Sequence, residues 1–197
     1  MKEFVKIAGW CNGNTSGFGP EDCRFESYPR SLKIMANFPS LKEKFQNKEL
    51  HRVTSTAIIY KNKKYLLVQR SFEKKAFPGK WTVPGGGLEV SDYINLPKTT
   101  SQHWYFAVEN SLRREIKEEV NLEVGKINYL CSITFIRPDG IPVLILSYYA
   151  PYKSGKVKLN KENINYAWVT FEEAKKYDLV EGLIDEIKMV DKILRKK

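Results

Sequence analysis

Cysteine is scarce in this 197-residue chain: Cys11, Cys23 and Cys131 form an odd set with no paired spacing. That excludes a disulfide framework and Cys-pair zinc sites, and it fits a reducing cytoplasm, the expected location. Histidine is scarcer still, at two. His103 has no Cys or His at metal-site spacing, so a zinc centre is not expected there either. No apolar run approaches the roughly 18 residues of a membrane-spanning helix, and no signal-peptide pattern is found. Neither internal repeats nor low-complexity tracts occur. Carboxylates are the minority charge, 23 against 33 Lys and Arg, giving +10 and a pI near 9.4. Such a balance suits polyanionic ligands without choosing among them. The excess sits in residues 61–64, 153–161 and the tail Arg195-Lys196-Lys197, which read as solvated loops and a helix end. A nucleic-acid partner is therefore open but not favoured. The 42% apolar content supports one core. We expect one domain over 46–197 with an extension over 1–45.

The few carboxylates are concentrated where they matter. Arg114 to Glu119 reads R-E-I-K-E-E. On a helix Glu115, Glu118 and Glu119 fall at i, i+3 and i+4, on adjoining parts of one surface. Val108, Leu112, Ile116 and Val120 define the buried stripe. At about 100° per residue, Glu119 points into that stripe and Glu115 lies at its edge. Three like charges there repel, and a buried unpaired carboxylate is costly. A divalent cation removes both objections, and an oxygen-only donor set suits Mg²⁺. The competing reading is a solvated acidic helix face.

The upstream Trp81-Thr82-Val83-Pro84-Gly85-Gly86-Gly87-Leu88-Glu89 decides between them. Gly86, Asp92 five residues beyond it, then Arg114, Glu115, Ile116, Glu118, Glu119 and Leu122 resemble the Nudix box, G-x5-E-x7-REUxEExGU with U aliphatic. Asp92 stands where the family has Glu, and Asn121 where it has Gly. Asn is the next most tolerant residue of the left-handed helix end. The spacing departs most: 21 residues, not seven, separate Asp92 from Arg114, an insertion of 14 that we place at 93–106. Loop closure costs grow only logarithmically with length, so the box is expected to be intact in space though split in sequence.

The resemblance implies an α/β/α sandwich with a mixed sheet. It also implies hydrolysis of a nucleoside diphosphate linked to another moiety, by default a nucleoside triphosphate giving monophosphate and pyrophosphate. Mg²⁺, with Mn²⁺ as substitute, would be held by Glu115, Glu118, Glu119 and a Gly85 or Gly86 carbonyl. Arg114, placed across the helix from much of that cluster, would position a carboxylate such as Asp92. Glu119 and Glu162 are the candidate bases. Gly85, Gly86 and Gly87 let backbone approach the substrate closely. Arg70 is a candidate phosphate ligand or an ordinary half-exposed strand Arg. Within the insertion, Lys98, His103, Trp104 and Tyr105 either contact substrate or anchor the loop. The partner is a small nucleotide derivative; oligomeric state is open. The alternative is a Nudix-fold nucleotide sensor without hydrolysis. Isomerisation of an isoprenoid diphosphate would need an early Cys, and Cys131 comes too late; it reads as a core residue.

Periodicity places the elements. Strands are predicted at 53–60, 65–69, 81–83, 127–136, 141–149 and 166–170, and helices at 108–120, 171–177 and 183–194. Turns are expected at Lys61-Asn62-Lys63, at the glycines, and at Pro138-Asp139-Gly140. Residues 10–31 follow neither period. They resemble a transfer-RNA gene translated in frame: Arg24-Phe25-Glu26-Ser27 is encodable as AGG-TTC-GAG-TCC, a T-arm sequence. On that reading translation begins at Met35; the rival is a genuine N-terminal extension.

Overall fold

Alternating burial along two strands decides the architecture. The computed structural model describes residues 50–137 and 140–196, so the 10–31 segment and Pro138-Asp139 lie outside the described residues. In β1 (Arg52–Lys61), Ala57 and Ile59 are buried on one face and Ile58 on the other. In β2 (Lys64–Arg70), Leu66 and Val68 join the first face, Tyr65 and Leu67 the second. Strands buried on both sides need a layer on each. Helix α1 (Ala107–Val120) supplies Leu112, Ile116 and Val120 to one side. Phe171–Ala174 forms the short α2, and α3 (Leu183–Arg195) supplies Leu183, Ile187 and Val190 to the other side. Each such side chain contributes roughly 1.5–3 kcal/mol by leaving water. This is the expected α/β/α sandwich.

The sheet is mixed. Its main path is β3 (Trp81–Thr82), β2, β1, β7 (Pro142–Gly155), β5 (Leu122–Val124). Off it, β4 (Gly85–Gly87) pairs with β1, β6 (Asn128–Ile136) with β7, and β8 (Asn163–Val169) with β2. Strands β1 and β7 run parallel, Arg52↔Val143 through Tyr60↔Pro151, while β4 lies antiparallel with Thr54↔Gly87 and Thr56↔Gly85. The β1–β2 hairpin closes through Asn62 and Lys63, both at positive φ (50° and 59°), the conformation that matches strand twist in a two-residue loop.

Four expectations need correction. The glycines form strand β4, not a turn, because their backbone finds a ladder partner in β1 that no local pattern announces. Strand β5 was not expected; three residues give too short a period to read. Strand β7 continues to Gly155, past Pro151, where a proline marks a strand end by rule. The predicted 171–177 helix stops at Ala174. Beyond it the chain leaves to pair with the sheet edge: Trp81 N–H donates to the Asp178 carbonyl and Val180 N–H to Trp81's, each at 2.9 Å.

Candidate active site

Helix α1 carries three of the four parts of the site, and β4 brings the fourth against it. Glu119 is 6% exposed, and its Oε2 accepts the Gly85 N–H at 3.0 Å. Burial, in the first place, pushes its carboxyl up to about 7; Glu115 and Glu162 push the same way against the Gly85 hydrogen bond. Glu115 is raised too, mainly by burial, with the Arg114 charge opposing and Glu118 and Glu162 adding. Its carboxyl lies where Gly86 has no side chain: a Cβ there would sit 2.2 Å from Glu115 Cδ. At Gly85 (φ +154°) a Cβ would sit 2.2 Å from the Ser55 carbonyl oxygen. Gly85 is thus required by the sheet backbone, whereas Gly86 leaves room for the Glu115 carboxylate as it stands.

The split box closes in space. Arg114 Nε donates to Asp92 Oδ1 at 2.5 Å and its Nη2 to Oδ2 at 3.2 Å, bridging the 21 intervening residues. Asp92 also accepts the Glu89 N–H at 2.8 Å. The Arg114 hydrogen bond, first among the causes, holds the Asp92 carboxyl down to about 2. Asp92 loses one methylene against Glu without losing the pairing. Arg114 itself requires a correction. It is not across the helix from the cluster but inside it, 3.0 Å from Glu115 Oε1 and 3.0 Å from Glu118 Oε2 as well. A guanidinium has donors enough to serve three carboxylates at once.

Glu162 and Arg70 complete the electrostatics. The Glu162 field raises both Glu115 and Glu119, and its side chain pairs with Lys74 at 2.5 Å. Arg70 is lowered mainly by burial, with the charges of Glu119 and Glu162 opposing. Its Nε donates to the Ala76 carbonyl at 2.9 Å. The next residue, Phe77, went unremarked in the sequence. It holds positive φ (52°), is 39% exposed, and packs on Phe135 at 5.9 Å between ring centroids. A bulky residue in that region of φ is strained, and such strain gathers at ligand sites. The following Pro78-Gly79 was the only sequence signal of a special turn.

The insertion packs on itself. Trp104 Nε1 donates to the Leu96 carbonyl at 2.9 Å, its ring lies 5.4 Å from Tyr93's, and Lys98 Nζ sits 5.0 Å from its centroid. His103 Nδ1 is 3.1 Å from Thr100 Oγ1. Trp104, Lys98 and His103 are thus engaged within the loop, whereas Tyr105 and Phe106 are exposed. Cys131 lies in β6, half-buried, its thiol pushed up to about 11 mainly by burial.

The donors fit a hard cation chemically: oxygen only, like-charged, with Glu119 buried and made costly by its neighbours. Among the described residues no three Asp, Glu, His or Cys side chains converge as a ready cage. Glu115 and Glu118 are turned onto Arg114, which neutralises them where a metal would.

A mixed sheet between helices, a glycine strand and a carboxylate helix define a Nudix architecture. The family model for the NUDIX domain matches residues 50–188, and the chain belongs to the Nudix hydrolases. It is 31% identical over 126 residues to the nucleoside triphosphatase NudI of Klebsiella pneumoniae (strain 342), covering 58% of this chain and 79% of that protein. The Escherichia coli (strain K12) protein of the same name is 29% identical over the same coverage. Among solved structures, the MutT protein of Methanosarcina mazei Go1 superposes with a TM-score of 0.57 at 22% identity, covering 77% of this chain and 99% of that one. The NUDIX domain of Shewanella oneidensis NrtR complexed with ADP ribose does so at 0.58 and 18%, covering 83% and 98%. At such identities the likeness concerns the fold. Among the described residues no helix is long and apolar enough to cross a membrane.

Proposed function

We propose that this domain, residues 46–197, is a Mg²⁺-dependent pyrophosphohydrolase of nucleoside triphosphates, releasing monophosphate and pyrophosphate. The observation that carries it is the meeting of Glu115, Glu119 and Glu162 in one field, two of them raised by burial and mutual repulsion, beside a backbone kept free of side chains at Gly85 and Gly86. Glu115, Glu118, Glu119 and the Gly85 carbonyl would hold the ion. When bound, it supplies charge neutralisation for the diphosphate and a water of lowered pKa.

The chain's own residues do the rest. Arg70, whose charge is felt by Glu119 and Glu162, binds a phosphate oxygen. Glu162 takes the proton of the attacking water, with Glu119 as the alternative base. Arg114 fixes Asp92 and, through it, the start of the inserted loop. The Phe77–Phe135 pair, reached from Arg70 through Ala76, offers the nucleobase an apolar face. The nucleoside-triphosphatase relatives support the substrate class. Cytoplasmic residence follows from this substrate and the cysteine usage.

A panel of nucleotides with Mg²⁺ or Mn²⁺, assayed for phosphate and pyrophosphate, tests the proposal. Pyrophosphate release from a triphosphate is expected, and Glu118→Gln should lower it by several orders of magnitude with the fold intact. Binding without release across the panel would favour a nucleotide sensor; wild-type turnover in Glu118→Gln would remove that residue from the site.

A further inference from the structure

The α1-side face of the sheet extends beyond the helix that covers it. Helix α1 ends at Val120, with Asn121 left-handed and β5 starting at Leu122. Strands β1, β2, β7 and β8 run on toward the hairpin at Asn62-Lys63, whereas among the described residues the helix packed on that face, α1, stops at Val120. Period two puts Lys61, Lys64, Tyr152, Tyr166 and Trp168 on that face, in step with Ile59, Leu66 and Ala150 of the α1-side core. The loop after β7, carrying Lys156 and Val157, closes the remaining side. What results is a cavity of about 640 Å³.

Its lining chemistry is one-sided. Lys61, Lys64 and Lys156 contribute three ammonium groups, and among the described residues no carboxylate lines the space. None of the three ammoniums has an ion-pair partner among the described residues; the Lys64 charge is felt by Glu173 without a salt bridge. Lys61 Nζ lies 4.2 Å from the centroid of the Tyr152 ring, and Tyr152 meets Trp168 edge-on at 6.0 Å and 89°. Tyr166 is 44% exposed beside them. Rings without a stacking partner take a planar group, and unpaired lysines take phosphate. The volume lies in the ~300–1,000 Å³ range of small-molecule sites. A cation is repelled by the three lysines, and a neutral sugar leaves them without a counter-charge.

We propose that this basin is a second nucleotide site, taking a nucleoside polyphosphate by aromatic and lysine contacts without metal. It is separate from the carboxylate cluster. Gly85, which holds Glu119, pairs with Thr56, and Lys61 lies five residues farther along β1. At ~3.3 Å per residue that is about 16 Å.

Calorimetric titration of the full chain with ADP in excess EDTA tests it, because chelation disables metal-borne binding at the cluster. Saturable binding is expected, at least tenfold weaker in Lys61→Glu/Lys64→Glu and unchanged in Arg70→Ala. Tripolyphosphate alone and adenosine alone should each bind at least tenfold more weakly than ADP. Melting temperatures establish that the variants are folded, and Lys61→Gln/Lys64→Gln, which adds no negative charge, should weaken binding in the same direction. Equal ADP affinity in wild type and both lysine variants would overturn the proposal. So would loss of binding in Arg70→Ala, or tripolyphosphate binding as tightly as ADP.

Discussion

Removing the charge of Glu119 should stabilise the metal-free protein while abolishing its activity, and the gain should grow with pH. The carboxyl is 6% exposed and titrates at about 7 instead of its ordinary 4.5. Between those values the folded chain binds more protons at this position than the unfolded chain does, so stability falls as pH rises. Below 4.5 both states are protonated and the penalty is absent; above 7 both are ionised and it is complete. At about 1.4 kcal/mol per pH unit, the difference between 4.5 and about 7 amounts to about 3 kcal/mol. Glutamine has the same shape and keeps an oxygen for the Gly85 N–H, so Glu119→Gln removes the pH-dependent penalty and little else. For a domain of this size each kcal/mol moves the Tm by roughly 2–4 °C. Melting curves in EDTA should therefore coincide near pH 4.5 and separate by about 6–12 °C at pH 8, the variant higher. Comparing variant with wild type cancels the opposite contribution of Asp92, whose carboxyl is held down to about 2. Mg²⁺ should then raise the Tm of wild type much more than that of the variant. Melting temperatures that run parallel from pH 5 to 8 would show that Glu119 carries no buried charge, and the cation argument would fail with it.

Three further outcomes are expected. Gly86→Ala places a methyl 2.2 Å from Glu115 Cδ; since the far end of a flexible side chain can swing away, kcat should fall at least tenfold while the Tm changes by a few degrees at most. Replacing residues 98–104 by a short Gly/Ser linker should change KM or nucleotide preference more than metal affinity, as kinetics beside a Mn²⁺ titration would show, because Trp104 is engaged within the loop while the Arg114–Asp92 pairing lies outside the replaced residues. Deleting residues 1–34, so that translation begins at Met35, should leave turnover and Tm unchanged; aggregation or a Tm several degrees lower would mean that the segment is a genuine part of the folded protein.

Some of the site was legible before any coordinates because its logic is local. Glu115, Glu118 and Glu119 share a face by helical arithmetic alone, and the same arithmetic buries Glu119 next to Ile116 and Val120. The split box was legible for a different reason: an insertion alters the path between Asp92 and Arg114 but not the charges that pair across it. What escaped was nonlocal. Nothing within Gly85–Gly87 reveals that Thr54–Thr56 lies opposite, so a strand read as a turn. Arg114 was assigned by its angle on the helix, yet its arm is long enough to make the angle a weak guide, and it reached three carboxylates. Residues 61–64 read as solvent-facing and are exposed; what escaped is that Lys61 also meets the Tyr152 ring, some ninety residues away in sequence. For the glycines and for Lys61 the missing quantity was a contact partner supplied by the sheet; for Arg114 it was the reach of its own side chain. Residues that act through their own helix can be found from spacing, whereas residues that act through β pairing become legible only once register is known.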